Sequence, residues 1–192
     1  MQNRIQINNT IKPFNKTIKI EGDKSLSIRW ALLASQAVGT SKCKNLLMSE
    51  DVLHTLKCLK KLGIKIQLSK NECKIIGNGL NGFKYKKDIV LDAGNSGTLA
   101  RLILGFLVHS SKAIKIKGDK SLSRRDFLRV INPLEKFGAK FKSKSGKLPL
   151  IINGTNNSKP IEFYEKKGSA QCKSAVMLAA LNTKGKTIIK AK

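Results

Sequence analysis

Acidic residues are scarce in this chain. There are 12 Asp and Glu against 38 Lys and Arg in 192 residues, a formal charge of +26. Aromatic residues make up only 5%, too few for an obvious base-stacking platform. Long hydrophobic runs are missing too. The longest, Leu102 to Val108, is interrupted by Gly105, and a membrane-spanning helix needs about 20 apolar residues, so no such helix is expected. Met1 to Gln6 has no apolar core and does not read as a secretory signal, which points to the cytoplasm. The four cysteines, Cys43, Cys58, Cys73 and Cys172, are too far apart in sequence for a zinc or redox motif, and only His54 and His109 are available to join them. They read as reduced thiols, partly in the core. No Walker A pattern is present, and no G-x-G-x-x-G opens a helix, so nucleotide binding is unsupported.

What is abundant is lysine. Six of the basic residues are Arg and the rest are Lys, spread along the whole chain with no block of five like charges. Nucleic-acid binding is one reading of so basic a chain, but the even spread favours solvated lysines on most surfaces. A field of this sign attracts small phosphorylated anions. The arginines are more telling, because a guanidinium grips phosphate or carboxylate through two parallel hydrogen bonds. Arg29, Arg101, Arg124 and Arg125 all lie beside glycine- and serine-rich turns that recur along the chain.

The hexamer Gly22-Asp23-Lys24-Ser25-Leu26-Ser27 recurs as Gly118 to Ser123. An alternating, strand-like run precedes each copy (Thr17 to Glu21, Ala113 to Lys117) and a helical pattern comes after each, which implies a duplicated α/β unit. Helices are predicted over 24–38, from Ser49 to the stop at Gly63, over 98–108, over roughly 125–137 and over 169–181. In the first, Leu26, Trp30, Leu33 and Ala37 share one stripe. In the second, Ser49 is the candidate cap, Glu50 and Asp51 stand in the first turn as the helix dipole prefers, and Val52, Leu53, Leu56 and Leu59 form the apolar face. In the third, Leu99, Leu102, Ile103 and Phe106 point inward. Pro133 predicts a kink or a late start in the fourth. Strands are predicted over 64–68 and 73–77, split by a turn at Lys70-Asn71, and over 89–92, 139–143, 149–153 and 187–190. The order is strand, helix, strand, helix, strand, strand, then again. The final strand falls inside what would be a third unit, so the chain reads as truncated there.

Three segments share one design, a turn of small residues that opens a helix: Gly22-Asp23-Lys24-Ser25, Asn95-Ser96-Gly97-Thr98 and Gly168-Ser169-Ala170-Gln171. The free N–H groups and partial positive charge of a helix N-terminus suit phosphate or carboxylate. Ser25 and Arg29 are spaced i, i+4, while Thr98 and Arg101, like Gln171 and Ser174, are spaced i, i+3, so each pair lies on one helix face. A single such segment is usually only a cap. Three of them, two with Arg one turn in, favour a shared anion site.

These stretches resemble the amino-terminal half of the EPSP synthase (3-phosphoshikimate 1-carboxyvinyltransferase) family. The matching segments are Gly22 to Arg29, Leu91 to Arg101, Gly118 to Arg125 and Ser169 to Ser174, in the family's order and spacing. The resemblance covers nearly the whole chain from residue 5 onward. The UDP-N-acetylglucosamine enolpyruvyl transferases share the fold but usually have Lys-Asn where this chain has Lys24-Ser25, which disfavours them.

The resemblance implies an α/β (α+β) fold, one lobe of an inside-out α/β barrel built from repeated βαβαββ units and incomplete in the third. Residues 1–20 would be a strand segment that pairs with a second lobe, and residues 21–192 the enolpyruvyl transferase lobe. It implies transfer of the carboxyvinyl group of phosphoenolpyruvate to the 5-hydroxyl of shikimate 3-phosphate, releasing phosphate, with no metal or organic cofactor, in a protein that is monomeric when intact. By motif position, Lys24, Asn95, Gly97 and Arg125 would bind phosphoenolpyruvate, and Lys24, Ser25, Arg29, Ser169, Ala170 and Gln171 shikimate 3-phosphate. Thr98 and Arg101 would be structural supports. The family's catalytic acids and bases belong to the second lobe, so this polypeptide alone is expected to be inactive. Two departures stand out: Asp126 replaces the usual Pro after Arg125 and brings a negative charge to the phosphoenolpyruvate site, and Ile20-Glu21 replaces the common Leu-Pro.

Overall fold

In a computed structural model of the chain, the described residues are 8, 12, 13, 15–18, 20–69 and 72–191. The helices are α1 (Lys24–Gln36), α2 (Glu50–Lys61), α3 (Gly97–Leu107), α4 (Leu128–Lys136) and α5 (Ala170–Ala180). The strands are β1 (Val38–Lys44), β2 (Lys65–Leu68), β3 (Glu72–Asn78), β4 (Ile89–Asp92), β5 (Ile114–Lys117), β6 (Lys140–Lys144), β7 (Lys147–Asn153), β8 (Glu162–Glu165) and β9 (Ile188–Ala191). The result is a mixed α/β arrangement with three separate sheets.

The sheets share one plan. β4 and β5 are parallel neighbours joined across α3, and β8 and β9 are parallel neighbours joined across α5. β7 pairs antiparallel with β5 on one side and β6 on the other, just as β3 pairs with β1 and β2. Among the described residues the expected order of strand, helix, strand, helix, strand, strand is complete in the second unit, β4 to β7, while the first unit shows it from α1 onward and the third as β8, α5 and β9. The strand expected at Thr17 to Glu21 is not formed: Thr17, Ile18, Ile20 and Glu21 carry no strand. Most of the expected 1–20 strand segment and the Lys70-Asn71 turn lie outside the described residues.

The hexamers do not mark equivalent places in this plan, which corrects the reading of the duplication. The first opens α1, the first helix of its unit. The second comes after β5 and forms a single 3-10 turn, Leu122–Arg124, ahead of α4, the second helix of its unit. The units repeat, but the structural counterparts of the Gly22 turn are the turns that open α3 and α5. α4 takes the late start that Pro133 allows: helical hydrogen bonding begins only at Leu128.

Helix packing follows side-chain size. α3 is apolar on nearly every face and is buried along its length. It lies against α5 so closely that a Cβ on Gly105 would collide with the Ala175 carbonyl. α2 packs on α1 and touches α3, while α4 packs on α5 and touches α3. Between α1 and α5 a groove of about 280 Å³ is lined by Arg29, Leu33, Ser174, Met177 and Leu181. The stripe read along α1 is not its buried face. Leu26 is 68% and Leu33 49% exposed, whereas Ile28, Ala31, Leu32 and Ser35 are fully buried. Ser49 stands at the start of α2, yet its hydroxyl makes no cap bond. Glu50 and Asp51 supply the first-turn charge instead.

Candidate functional site

The three helix-opening turns are each capped by their own side chain. Asp23 Oδ1 accepts from the Leu26 N–H (2.7 Å), Ser96 Oγ from the Leu99 N–H (3.2 Å) and Ser169 Oγ from the Cys172 N–H (3.2 Å). Each cap uses one of the free N–H groups of its first turn and leaves others to face outward. The helices thus present partial positive charge at a surface that also carries Lys24, Arg101 and Arg125.

Side chains tie these turns together. Arg101 is the central one. Its guanidinium donates to the Gln171 side-chain carbonyl (3.0 Å), to the Gly97 carbonyl (3.3 Å) and to the Asp126 carbonyl (3.4 Å), and it lies 4.9 Å above the Phe127 ring. Burial pushes its pKa down, and the nearby positive charges of Arg125 and Arg129 add to that. Gln171 in turn donates to Thr98 Oγ1 (3.0 Å). Both ends of the Gln171 amide are therefore held by α3, which fixes its orientation at the mouth of α5. Gly97 faces the same cluster: a Cβ there would come within 2.8 Å of Arg101 Nη1 and 3.2 Å of Arg125 Nη1.

A second set of contacts holds the α1 and α3 turns. Lys24 Nζ pairs with Asp51 Oδ2 on the first turn of α2 (3.2 Å). One turn further along α2, the His54 ring packs over Gly94, and its Nδ1 donates to the Asp92 carbonyl (3.0 Å). Asp92 receives the Gly94 N–H (2.9 Å) and the Lys117 ammonium (2.9 Å), and the Lys117 bond leads in holding its carboxyl below the usual range. The second hexamer closes the α3 turn. Asp119 accepts from the Leu122 N–H (2.7 Å) and from Asn95 Nδ2, and both bonds lower its pKa.

The fold brings most of the sequence-derived residues together. Asn95, Gly97, Arg125 and Gln171 lie in one cluster about Arg101 and Asp119, with Ser169 and Ala170 on the turn that carries Gln171. Lys24 is joined to this cluster through α2. Ser25 and Arg29 lie on α1, where Arg29 Nη1 donates to the Ser25 carbonyl (3.3 Å) and the Arg29 side chain lines the groove beside Ser174. Asp126 directs its carboxylate to the Leu128 N–H (2.7 Å) at the start of α4. Three residues of the site are not apparent in the sequence. Asp51 reads there only as a helix-dipole complement, His54 only as a stray metal candidate, and Asp119 only as part of a repeat. Among the described residues no group of three or more His, Cys, Asp or Glu is close enough to hold a metal ion, and no helix is long and apolar enough to cross a membrane.

The parallel strand–helix–strand crossovers open α3 and α5 beside Arg101 and Arg125, and free N–H groups next to cations are the chemistry that suits an oxyanion. Residues 8–192 match the family model of EPSP synthase (3-phosphoshikimate 1-carboxyvinyltransferase). The chain is 45% identical over 183 residues to the 3-phosphoshikimate 1-carboxyvinyltransferase of Ruthia magnifica subsp. Calyptogena magnifica, covering 94% of this chain and 42% of that protein. It is 42% identical over 180 residues to the protein of the same name from Bacillus cytotoxicus, again covering 42% of it. A solved structure of EPSP synthase from Acinetobacter baumannii superposes with a TM-score of 0.84 at 35% identity, covering 90% of this chain and 39% of that one. The chain belongs to the EPSP synthase family, and it spans about two-fifths of the length of these relatives.

Proposed function

We propose that this chain forms the lobe that receives shikimate 3-phosphate and one side of phosphoenolpyruvate in a carboxyvinyl transfer reaction. In the reaction the 5-hydroxyl of shikimate 3-phosphate adds to phosphoenolpyruvate, and phosphate then leaves the tetrahedral adduct. In this reading the lobe is one side of an inside-out α/β barrel, the protein is cytoplasmic, and it works as a monomer once the rest of the barrel is present. The observation that carries the proposal is the clamping of Gln171 by Arg101 and Thr98, which presents one amide where the N-termini of α3 and α5 meet.

The roles come from chemistry. Ser25, Arg29, Ser169 and the Ala170 N–H suit the phosphate ester, because hydroxyls, a guanidinium and a helix N-terminus all donate. Gln171 suits the ring hydroxyls, since an amide both donates and accepts. Arg125 offers a fork for a carboxylate and Lys24 a compact charge for a phosphate. Asn95 and Gly97 lie beside Arg125, where the lack of a side chain at Gly97 lets a substrate approach. Two anionic substrates repel each other, and this surface offsets that repulsion before the chemistry begins. No residue of this lobe is assigned the proton transfers.

The test is phosphate release with both substrates. The 192-residue chain alone is expected to release none. The chain joined to the remaining portion of the Ruthia magnifica relative is expected to turn over, and to lose turnover on Arg125→Ala. Release by the chain alone, or a folded joined protein that turns over nothing, would contradict the proposal.

A further inference from the structure

Two of the four cysteines meet in the first sheet. β1 and β3 run antiparallel without a register shift, and Cys43 lies directly opposite Cys73. Residues opposite each other in such a pair share one face, with Cα atoms about 4.5–5.5 Å apart. A disulfide bridges Cα atoms about 4.4–6.8 Å apart. Cys58 and Cys172 sit on the helices α2 and α5 instead, and Cys58 is buried with its thiol on the Asp92 carbonyl.

We propose that Cys43 and Cys73 are a reversible redox pair, closing to an intramolecular cross-strand disulfide when the chain meets a hydroperoxide. Cys43 is the half-buried, reachable member, with its thiol directed to the Lys44 carbonyl (3.3 Å) at the strand surface. Its thiolate attacks one peroxide oxygen. The O–O bond breaks, the released oxyanion takes up a proton and leaves (as water from hydrogen peroxide, as an alcohol from an organic hydroperoxide), and a sulfenic acid remains on Cys43. The Cys73 sulfur then attacks Cys43 Sγ, the S–O bond breaks as the S–S bond forms, and a second water leaves. The two thiols lose two electrons, and the peroxide gains them. Cys73 is 1% exposed, which suits a resolving thiol, because its only target is the sulfur across the ladder.

Burial raises both thiol pKa values, that of Cys73 to about 11, where the neighbouring Cys43 charge adds to the effect. Cys43 is the more exposed of the two, so it is the thiol that a peroxide reaches first. The bond would fasten a corner next to the substrate surface. β1 runs into Asn45, which donates to the Ile20 carbonyl (3.2 Å), and the Leu47 N–H donates to Ser27 Oγ on α1 (3.1 Å). Oxidation would thus brace the turn that carries Lys24 and Ser25, and by closing a long loop it raises the melting temperature.

The experiment is hydrogen peroxide treatment of the purified chain, then thiol counting after denaturation and non-reducing peptide mapping. The expected result is loss of two of the four thiols, a mass lower by two hydrogens, one peptide linking Cys43 to Cys73, and full reversal by dithiothreitol. Cys43→Ser and Cys73→Ser abolish the link, while Cys58→Ser and Cys172→Ser leave it. Dimers joined through Cys43, loss of the Cys58 or Cys172 thiol in its place, or Cys43 oxidised to the sulfinic acid without a link would overturn the proposal. The map of the unsubstituted chain decides the matter even if a variant fails to fold.

Discussion

Gly97 is the residue where the site has least room. Arg101 is held by three carbonyl acceptors and the Phe127 ring, so it cannot retreat freely, whereas Arg125 is exposed and its side chain makes no hydrogen bond or ion pair among the described residues. A methyl group at position 97 would press first on Arg101 Nη1, at 2.8 Å, and then on Arg125 Nη1, at 3.2 Å. Gly97→Ala is therefore expected to weaken phosphoenolpyruvate binding roughly tenfold, the scale of about one charge-assisted hydrogen bond. Because Arg101 also holds Gln171, shikimate 3-phosphate binding is expected to weaken as well. Titration of each substrate into the variant checks this, and unchanged binding of both would count against placing Gly97 at the site. The neighbouring Asp126 directs its carboxylate to the Leu128 N–H at the start of α4, and its carbonyl supports Arg101.

At the scale of elements, α1 shows why periodicity alone can mislead. Leu26, Trp30 and Leu33 are large apolar residues of that helix at helical spacing, and they draw the eye to one stripe. The face that packs on α2 and α3 is instead Ile28, Ala31, Leu32 and Ser35, where small residues allow close approach. Leu32→Ala should cost about 2–5 kcal/mol, the usual loss for a buried Leu, and Leu33→Ala less than about 0.5 kcal/mol, as for a surface change. Urea midpoints of the two variants measure the difference. Similar losses would mean that the groove beside Leu33 is covered in solution. Helix existence is legible where independent signals agree: apolar spacing with first-turn acids in α2, and apolar spacing with a Ser-Gly turn ahead of it in α3. The facing of α1 depends on what packs against it, which no local pattern carries. The hexamer misleads for a related reason. Its second copy keeps the Asp-to-N–H turn, with Asp119 bonded to Leu122, but the chain beyond it bends at Arg125 and begins α4 only at Leu128.

At the scale of the whole molecule, the site is a product of topology. The opening turns of α1, α3 and α5 are far apart in sequence; Gln171 joins the turns of α3 and α5, and Lys24 ties the turn of α1 to α2. The three turns are readable one by one from Gly, Ser and Asn before apolar runs. The bonds that join them are not, because Arg101–Gln171, Asn95–Asp119 and Lys24–Asp51 span 70, 24 and 27 residues of sequence. The basic composition then acts in two ways. Most lysines are solvated, and in the proposed function their field concentrates anions at the surface that carries Arg125 and the openings of α3 and α5. That account is tested most directly by titrating shikimate 3-phosphate into the isotopically labelled chain and tracking backbone amide shifts. The expected result is concerted, saturable shifts of Ser25, Ser169, Ala170 and Gln171 with a single dissociation constant, lost on Arg29→Ala. Unsaturable shifts scattered over surface lysines, or tighter binding of single-stranded nucleic acid with a steep salt dependence, would contradict it.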